Sequence, residues 1–392
     1  MKPELLAPAG NREKLEWAAE YGADAVYFGL TDYSLRSFAG NFTPDEAREA
    51  IEYLHQRGKK AYVTLNIYPF SGEYGAILEQ AKGLKSADGF IVADLGLITA
   101  LRKAGVDVPV HVSTQANTMS AQTALAYADL GCVRVNLARE LSFDRIAEIR
   151  EMTLGRIELE VFIHGSVCFS YSGRCAISDY LTGRRANRGE CSHPCRWSYH
   201  LSEEKRPGSL MPVFEDQRGA YLFNTKDLAL WRWLDRLSDI GVDSLKVEGR
   251  MKTIHYIASV LQVYRSLLDG AALTEEQIRQ YLSRISNRGY SEGFMKGGVG
   301  PEDYKTESAE YTFSSVMLGH TCADGVLTVN NSFSGGETVE LLTPGGVTTV
   351  TLPPVFTDTE GNTHDAVNNT HRLRTGLPPY SIIRRVTCYD KR

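Results

Sequence analysis

The chain has 392 residues, 43% of them hydrophobic and 23% charged, which is the profile of a globular protein with apolar material for two or three domains. Forty-three Lys and Arg against 48 Asp and Glu give a net charge of −5, which excludes a chain-wide basic field of the kind that coats nucleic acid. The segment Met1 to Pro8 is not a secretory apolar segment and no run approaches about 18 apolar residues, so the sequence reads as cytoplasmic with no membrane partner.

The first strand candidate is Leu5 to Ala9, and it opens an alternation that continues to residue 250. Further apolar runs follow at Ala25 to Leu30, Lys60 to Asn66, Gly89 to Asp94, Val108 to Thr114, Cys132 to Ala138, Ile157 to Gly165 and Ser244 to Gly249. Between them, segments such as Arg12 to Tyr21, Thr43 to Arg57, Tyr74 to Lys85, Gly96 to Ala104, Ala121 to Leu130 and Ser142 to Met152 repeat apolar residues every three to four positions, as amphipathic helices do. Runs such as Ala25-Val26-Tyr27-Phe28 are continuously apolar, as expected where both faces of a parallel sheet are covered. Eight such units in about 250 residues predict an α/β fold, a (β/α)8 TIM-like barrel. A doubly wound sheet is the poorer match, because no Gly-x-Gly-x-x-Gly turn follows the first strand.

The expected domains are the barrel over residues 1–270, with a cysteine-rich insertion at 166–243 between strands 7 and 8, then a helical connector at 271–312. Short runs at Val326 to Val329, Thr338 to Leu342 and Val347 to Leu352, separated by Asn-Asn, Gly-Gly and Pro-Gly-Gly turns, predict a small antiparallel, barrel-like β domain over 313–392.

Four of the seven cysteines, Cys168, Cys175, Cys191 and Cys195, fall within 28 residues of that insertion. They begin three residues after Gly165, so a barrel carries them at its C-terminal mouth, where barrel active sites are built. An odd cysteine count without an export signal argues against a disulfide framework. Zinc accepts four thiolates, but its usual pairs are two to four residues apart, whereas six residues separate Cys168 from Cys175 and fifteen separate Cys175 from Cys191. An iron–sulfur cluster takes four thiolates at irregular spacings. Thiols with no metal account poorly for four cysteines in a Gly- and Arg-rich loop. On spacing alone all three readings stay open.

Other candidates surround this cluster. His164 ends the seventh predicted strand and could transfer protons or make a structural hydrogen bond. Arg36, Arg139, Lys226 and Arg250 follow predicted strands or lie in motifs such as Asn224 to Leu228 and Ser244 to Arg250, and are cations of the kind that fix a carboxylate ligand. Residues 161–200 hold Arg174, Arg184, Arg185, Arg188 and Arg196 against Asp179 and Glu190, a local +3 suited to RNA phosphates, with Tyr171, Tyr180 and Trp197 available for base stacking.

The stretches Phe162 to Cys168 and Ser172 to Ser178, with Leu6 to Gly10, Ser113 to Asn117, Asn224 to Leu228, Ser244 to Arg250 and Asn287 to Tyr290, resemble the collagenase-like peptidase family U32, above all its tRNA-hydroxylating members. The resemblance implies a [4Fe-4S] cluster held by Cys168, Cys175, Cys191 and Cys195, a requirement for prephenate, and synthesis of 5-hydroxyuridine at the tRNA wobble position. It also implies two alternatives: oxygen-independent hydroxylation of a quinone precursor or other small aromatic, and the peptidase activity of the family's name. Peptidase chemistry has little support in the residues, since neither His-Glu-x-x-His nor Gly-x-Ser-x-Gly occurs. Cys132, Cys322 and Cys388 lie outside the motif, and assembly into homo- or hetero-oligomers is left open.

Overall fold

In a computed structural model, which describes residues 2–35, 40–168, 170–197, 215–216, 219–220, 225–305 and 311–387, the predicted alternation becomes a closed parallel barrel. The chain divides into two compact units, one of Met1–Leu15, Ala23–Lys252 and Arg288–Tyr311, the other of Glu16–Gly22, Thr253–Asn287 and Thr312–Arg392.

In the first unit, β1 (Glu4–Pro8), β2 (Ala25–Gly29), β3 (Lys60–Leu65), β4 (Gly89–Val92), β5 (Val110–Val112), β6 (Arg134–Asn136) and β7 (Glu158–Gly165) pair in sequence order, each parallel to the one before. A two-strand ribbon of β8 (Glu215–Asp216) and β9 (Gly219–Ala220) and a short strand β10 (Asp227–Ala229) then precede β11 (Ser244–Val247). β11 pairs in parallel with both β7 and β1 and closes the barrel. Seven of the eight barrel strands lie within predicted runs, most of them trimmed at their ends, and β1 begins one residue earlier than its run, at Glu4.

The crossover helices include α1 (Arg12–Glu20), α2 (Pro44–His55), α3 (Tyr74–Lys82), α4 (Leu95–Lys103), α5 (Ala121–Asp129) and α6 (Phe143–Thr153). Local chemistry sets where they begin. Thr43 and Glu46 form a reciprocal capping box on α2, and the side chains of Asp94, Ser120 and Ser142 accept from the first-turn amides of α4, α5 and α6. Inside the barrel Leu6, Ala25, Tyr27, Tyr62 and Ile91 pack together. At the N-terminal ends of the strands, Arg134 holds Glu4 at 2.6 Å and Glu158 at 2.7 Å, and Ser244 Oγ donates to Glu4 at 3.0 Å. Barrel chemistry sits at the opposite face, so this network serves stability.

The connection from β7 to β11 contains α7 (Ile177–Thr182) and α8 (Leu234–Asp239). β10 runs antiparallel to β7, an addition to the barrel that the sequence pattern did not signal.

The second unit contains α9 (Ile254–Leu268) and α10 (Glu275–Ser283). The short strand β12 (Tyr290–Ser291), back in the first unit, pairs with β10. The remaining strands of the second unit are β13 (Ser315–Thr321), β14 (Val326–Val329), β15 (Phe333–Ser334), β16 (Thr338–Thr343), β17 (Gly346–Thr351), β18 (Phe356–Asp358), β19 (Thr363–His364), β20 (Ala366–Val367), β21 (Arg372–Arg374) and β22 (Ile382–Val386). Eight of them form an antiparallel sheet in the order β17-β16-β22-β13-β14-β21-β18-β19, with β15 and β20 paired separately. Leu318, Leu327, Val339, Leu373 and Ile383 lie in its core. Among the described residues no helix is long and apolar enough to cross a membrane.

Candidate functional site

The C-terminal ends of the barrel strands surround an open cavity of about 1300 Å³, counting the space continuous with solvent. Six strands contribute side chains to it: Tyr27, Thr64, Ile91, Asn136, Phe162 and Lys246. The segment after β7 supplies another wall, and Cys168, Cys175, Cys191 and Cys195 all line it. The four cysteines that crowd 28 residues of sequence therefore share the wall of one cavity.

Three barrel loops hold this segment in place. After β3, Glu73 takes a bidentate ion pair from Arg188 at 2.7 and 3.1 Å, and Arg188 Nη1 also donates to Tyr68 O at 2.8 Å. Those bonds from Arg188, foremost, hold the Glu73 carboxyl below its ordinary range. After β5, Gln115 O lies where a Cβ at residue 173 would stand 2.0 Å away, and φ there is +73°, so only Gly173 fits. After β6, Glu140 accepts from Ser172 N at 2.8 Å and from Ser172 Oγ at 3.2 Å. Within the segment, Ser192 Oγ lies 3.0 Å from both Ser178 Oγ and Thr182 Oγ1, and Asn187 Nδ2 donates to Cys175 O at 3.2 Å. His193, with φ of +56°, turns its amide to Cys191 Sγ at 3.4 Å. An N–H aimed at sulfur favours the thiolate and is a recurring element around metal-bound cysteine. The donor set fits a group held by four thiolates; sulfur ligands suit zinc and iron–sulfur clusters alike.

Of the predicted cations, two line the cavity. Arg139 donates from Nη1 to Ser166 O at 2.7 Å and from Nη2 to Glu248 at 3.0 Å, with its guanidinium 3.8 Å from the Phe162 ring centroid. Arg250, 3% exposed, donates to Leu35 O at 2.7 Å, to Thr64 Oγ1 at 3.3 Å and to Asn41 Oδ1. Lys226 lies outside the lining, its ammonium on Glu302 O at 2.7 Å. His164 also lies outside the lining, buried with its ring 5.4 Å from that of Tyr290. Burial pushes its pKa down to about 3, with Asp227 opposing and Lys252 adding to the drop, so the imidazole is neutral. Arg36 falls outside the described residues.

Sequence reasoning missed Lys246, Glu248, Glu140 and Asn136, all of which line the cavity. Lys246 Nζ meets Glu160 at 2.7 Å and stands 4.4 Å from the Tyr27 ring centroid. The available signal was the alternation Lys246, Glu248, Arg250 at and just after an otherwise buried strand, a period of two that turns charge inward. The arginine patch is also smaller than its count suggests. Arg174 and Arg185 are exposed, whereas Arg188 is committed to Glu73 and lies 4.3 Å from the Phe70 ring centroid. Phe70, Tyr171, Tyr180 and Trp197 are exposed aromatics in these loops.

The family model for peptidase family U32 matches residues 10–305. The chain belongs to peptidase family U32. This U32 protein is 35% identical to tRNA hydroxylation protein P of Escherichia coli, over 90% of this chain and 88% of the relative. It is 36% identical to tRNA hydroxylation protein P1 of Bacillus subtilis, over 94% of this chain and 90% of the relative. The Escherichia coli 23S rRNA 5-hydroxycytidine synthase is 37% identical over 74% of this chain and 42% of its own greater length. The resemblance read from the motifs is thus borne out at the level of the family.

Proposed function

We propose that this U32 protein is a cytoplasmic RNA-modifying enzyme that hydroxylates a tRNA wobble uridine to 5-hydroxyuridine and uses prephenate in doing so. The observation that carries the reading is the convergence of four thiols on one cavity at the barrel mouth, in a chain whose relatives are named for RNA hydroxylation. Cys168, Cys175, Cys191 and Cys195 would hold a [4Fe-4S] cluster, which when bound supplies one-electron chemistry. Arg139, Lys246 and Arg250 fix positive charge along the cavity, partly balanced by Glu160 and Glu248, and this suits an organic acid such as prephenate. Exposed Phe70, Tyr171, Tyr180 and Trp197 offer faces for unpaired bases, and Arg174 and Arg185 offer charge for phosphates.

The test is nucleoside profiling of tRNA from cells that lack the gene and from the same cells carrying the parent or the Cys191→Ala variant. Loss of a hydroxylated uridine, restored by the parent alone, supports the reading. Unchanged tRNA with a lost quinone would transfer it to a small aromatic substrate. Replacing Arg174 and Arg185 together by Ala should weaken tRNA binding and lower the slope of log K against log salt by about 0.7–0.9 for each phosphate contact removed.

A further inference from the structure

The segment Ser166–Val167, which leads from β7 to Cys168, is held from several sides. Arg139 Nη1 donates to Ser166 O at 2.7 Å, Thr225 Oγ1 donates to Val167 O at 2.8 Å, and Ser166 Oγ donates to Asp227 Oδ1 at 3.3 Å. Asp227 is itself fixed: Oδ1 accepts from Arg288 Nη2 at 2.6 Å and Oδ2 from Arg288 N at 3.2 Å, with the two side chains 4% and 1% exposed. Arg288 Nε and Nη1 are buried and have no hydrogen-bond acceptor among the described residues. A buried guanidinium with two nitrogens unsatisfied is a poor device for stability alone.

Topology explains how these residues reach the cysteine. β10 pairs antiparallel with the end of β7, Leu228 opposite Gly165 and Ala229 opposite His164, and β12 pairs in parallel with β10, Asp227 opposite Tyr290. These two short strands are additions to the eight that close the barrel. They bring Thr225 and Asp227 beside the turn from β7 to the first cysteine. The stretches around Asp227 and Arg288 are two of the motifs that neither barrel closure nor the cavity lining uses.

We propose that Thr225, Asp227 and Arg288 are positioning residues for Cys168: they hold Ser166–Val167 so that the first thiol is presented to the cavity together with the other three. The inference rests on the four cysteines acting as metal ligands. None of the three residues lines the cavity that the four cysteines share; they act through the backbone of residues 166 and 167 and through Ser166 Oγ.

The double variant Ser166→Ala/Thr225→Val removes the bonds that Thr225 and Asp227 make with the segment, keeps the one from Arg139, and leaves the buried Asp227–Arg288 pair intact. Parent and variant are reconstituted without oxygen. Three properties are compared: the rate of iron loss to a chelator, the electron paramagnetic resonance spectrum of the reduced protein, and the melting temperature of the metal-free chain. Loss of iron about tenfold faster, with an altered spectrum and an unchanged metal-free melting temperature, is the expected result, since residues that orient a ligand typically change metal affinity by about 10- to 100-fold. The single Thr225→Val variant provides the same comparison with a smaller change should the double variant fold poorly. Iron loss at the parent rate with the same spectrum overturns the inference, as does a metal-free melting temperature that falls in step with iron retention. A parent that binds no metal overturns the thiolate reading and this inference together, whereas a loaded parent with an indistinguishable variant overturns the inference alone.

Discussion

Glu160→Gln removes the carboxylate that Lys246 meets at 2.7 Å inside the barrel. Glu160 is 1% exposed and Lys246 4%, and Arg134 Nη1 also approaches Glu160 at 3.4 Å. Arg134 keeps Glu4 at 2.6 Å and Glu158 at 2.7 Å after the change, so the loss falls mainly on Lys246. Removing one partner of a buried ion pair costs about 3–5 kcal/mol. The Gln amide oxygen retains a hydrogen bond worth about 1 kcal/mol, which leaves an expected loss of about 2–4 kcal/mol. Urea denaturation should show this as a lower midpoint at unchanged slope. Glu148→Gln, which breaks the exposed Arg145–Glu148 pair at 2.7 Å, should leave the midpoint unchanged. Glu160→Leu with Lys246→Met removes both charges and should recover stability to within about 1 kcal/mol of the parent. If Lys246 serves the ligand rather than the fold, that double variant is folded and inactive. A loss below about 1 kcal/mol for Glu160→Gln, or a double variant as unstable as the single one, would refute the reasoning.

Replacing any one of Cys168, Cys175, Cys191 or Cys195 by Ala should abolish iron binding, whereas Cys132→Ser and Cys322→Ser should retain it; iron analysis of anaerobically purified protein decides, and full iron in Cys191→Ala sinks the ligand assignment. Burial holds the His164 pKa near 3 against an ordinary 6.5, so between those values the unfolded chain binds a proton that the folded chain does not. The stability this neutral imidazole contributes is present above about 6.5 and lost as pH falls toward 3; His164→Gln should flatten the dependence of urea-derived stability on pH by up to about 1.4 kcal/mol per unit in that window, and an unaltered slope would count against a neutral buried imidazole.

The barrel was legible because its strands are buried on both faces and runs such as Ala25 to Phe28 and Phe90 to Val92 are apolar throughout, while Thr43, Asp94, Ser120 and Ser142 mark helix starts by their cap chemistry. The four cysteines were legible by density alone. β10 and β12, with three and two residues, are too short to carry a period and could not be found that way. Lys246 and Glu248 were passed over because a charge in a strand run usually marks its edge; here the barrel interior supplies Glu160 and Arg139 as partners. Lys226 and His164 occupy the stretches expected of them, but side-chain direction is not written in sequence position, and both lie outside the cavity lining. Arg188 raised the local positive charge on paper. Its partner Glu73 lies 115 residues away in the chain and only the fold brings the two together.

The cysteine loop and the barrel are held by different forces. Among the described residues from Cys168 to Cys195, only Ser178, Gly189 and Pro194 are buried, so the loop has no apolar core of its own. Ordering one residue costs about 1–2 kcal/mol, whereas a polar tie such as Ser172 to Glu140 or Arg188 to Glu73 returns about 1–3 kcal/mol. Ties of that strength, spread over a loop of this length, do not offset its ordering. On the reading proposed above, bonds from the four thiolates to metal would add to these ties, as they do in small metal-dependent domains. The barrel needs no such help, since its strands are buried on both faces. On that reading the two parts answer to different conditions: urea attacks the apolar burial of the barrel, while a chelator would strip the metal from the thiolates and salt would screen the exposed charge of the loop.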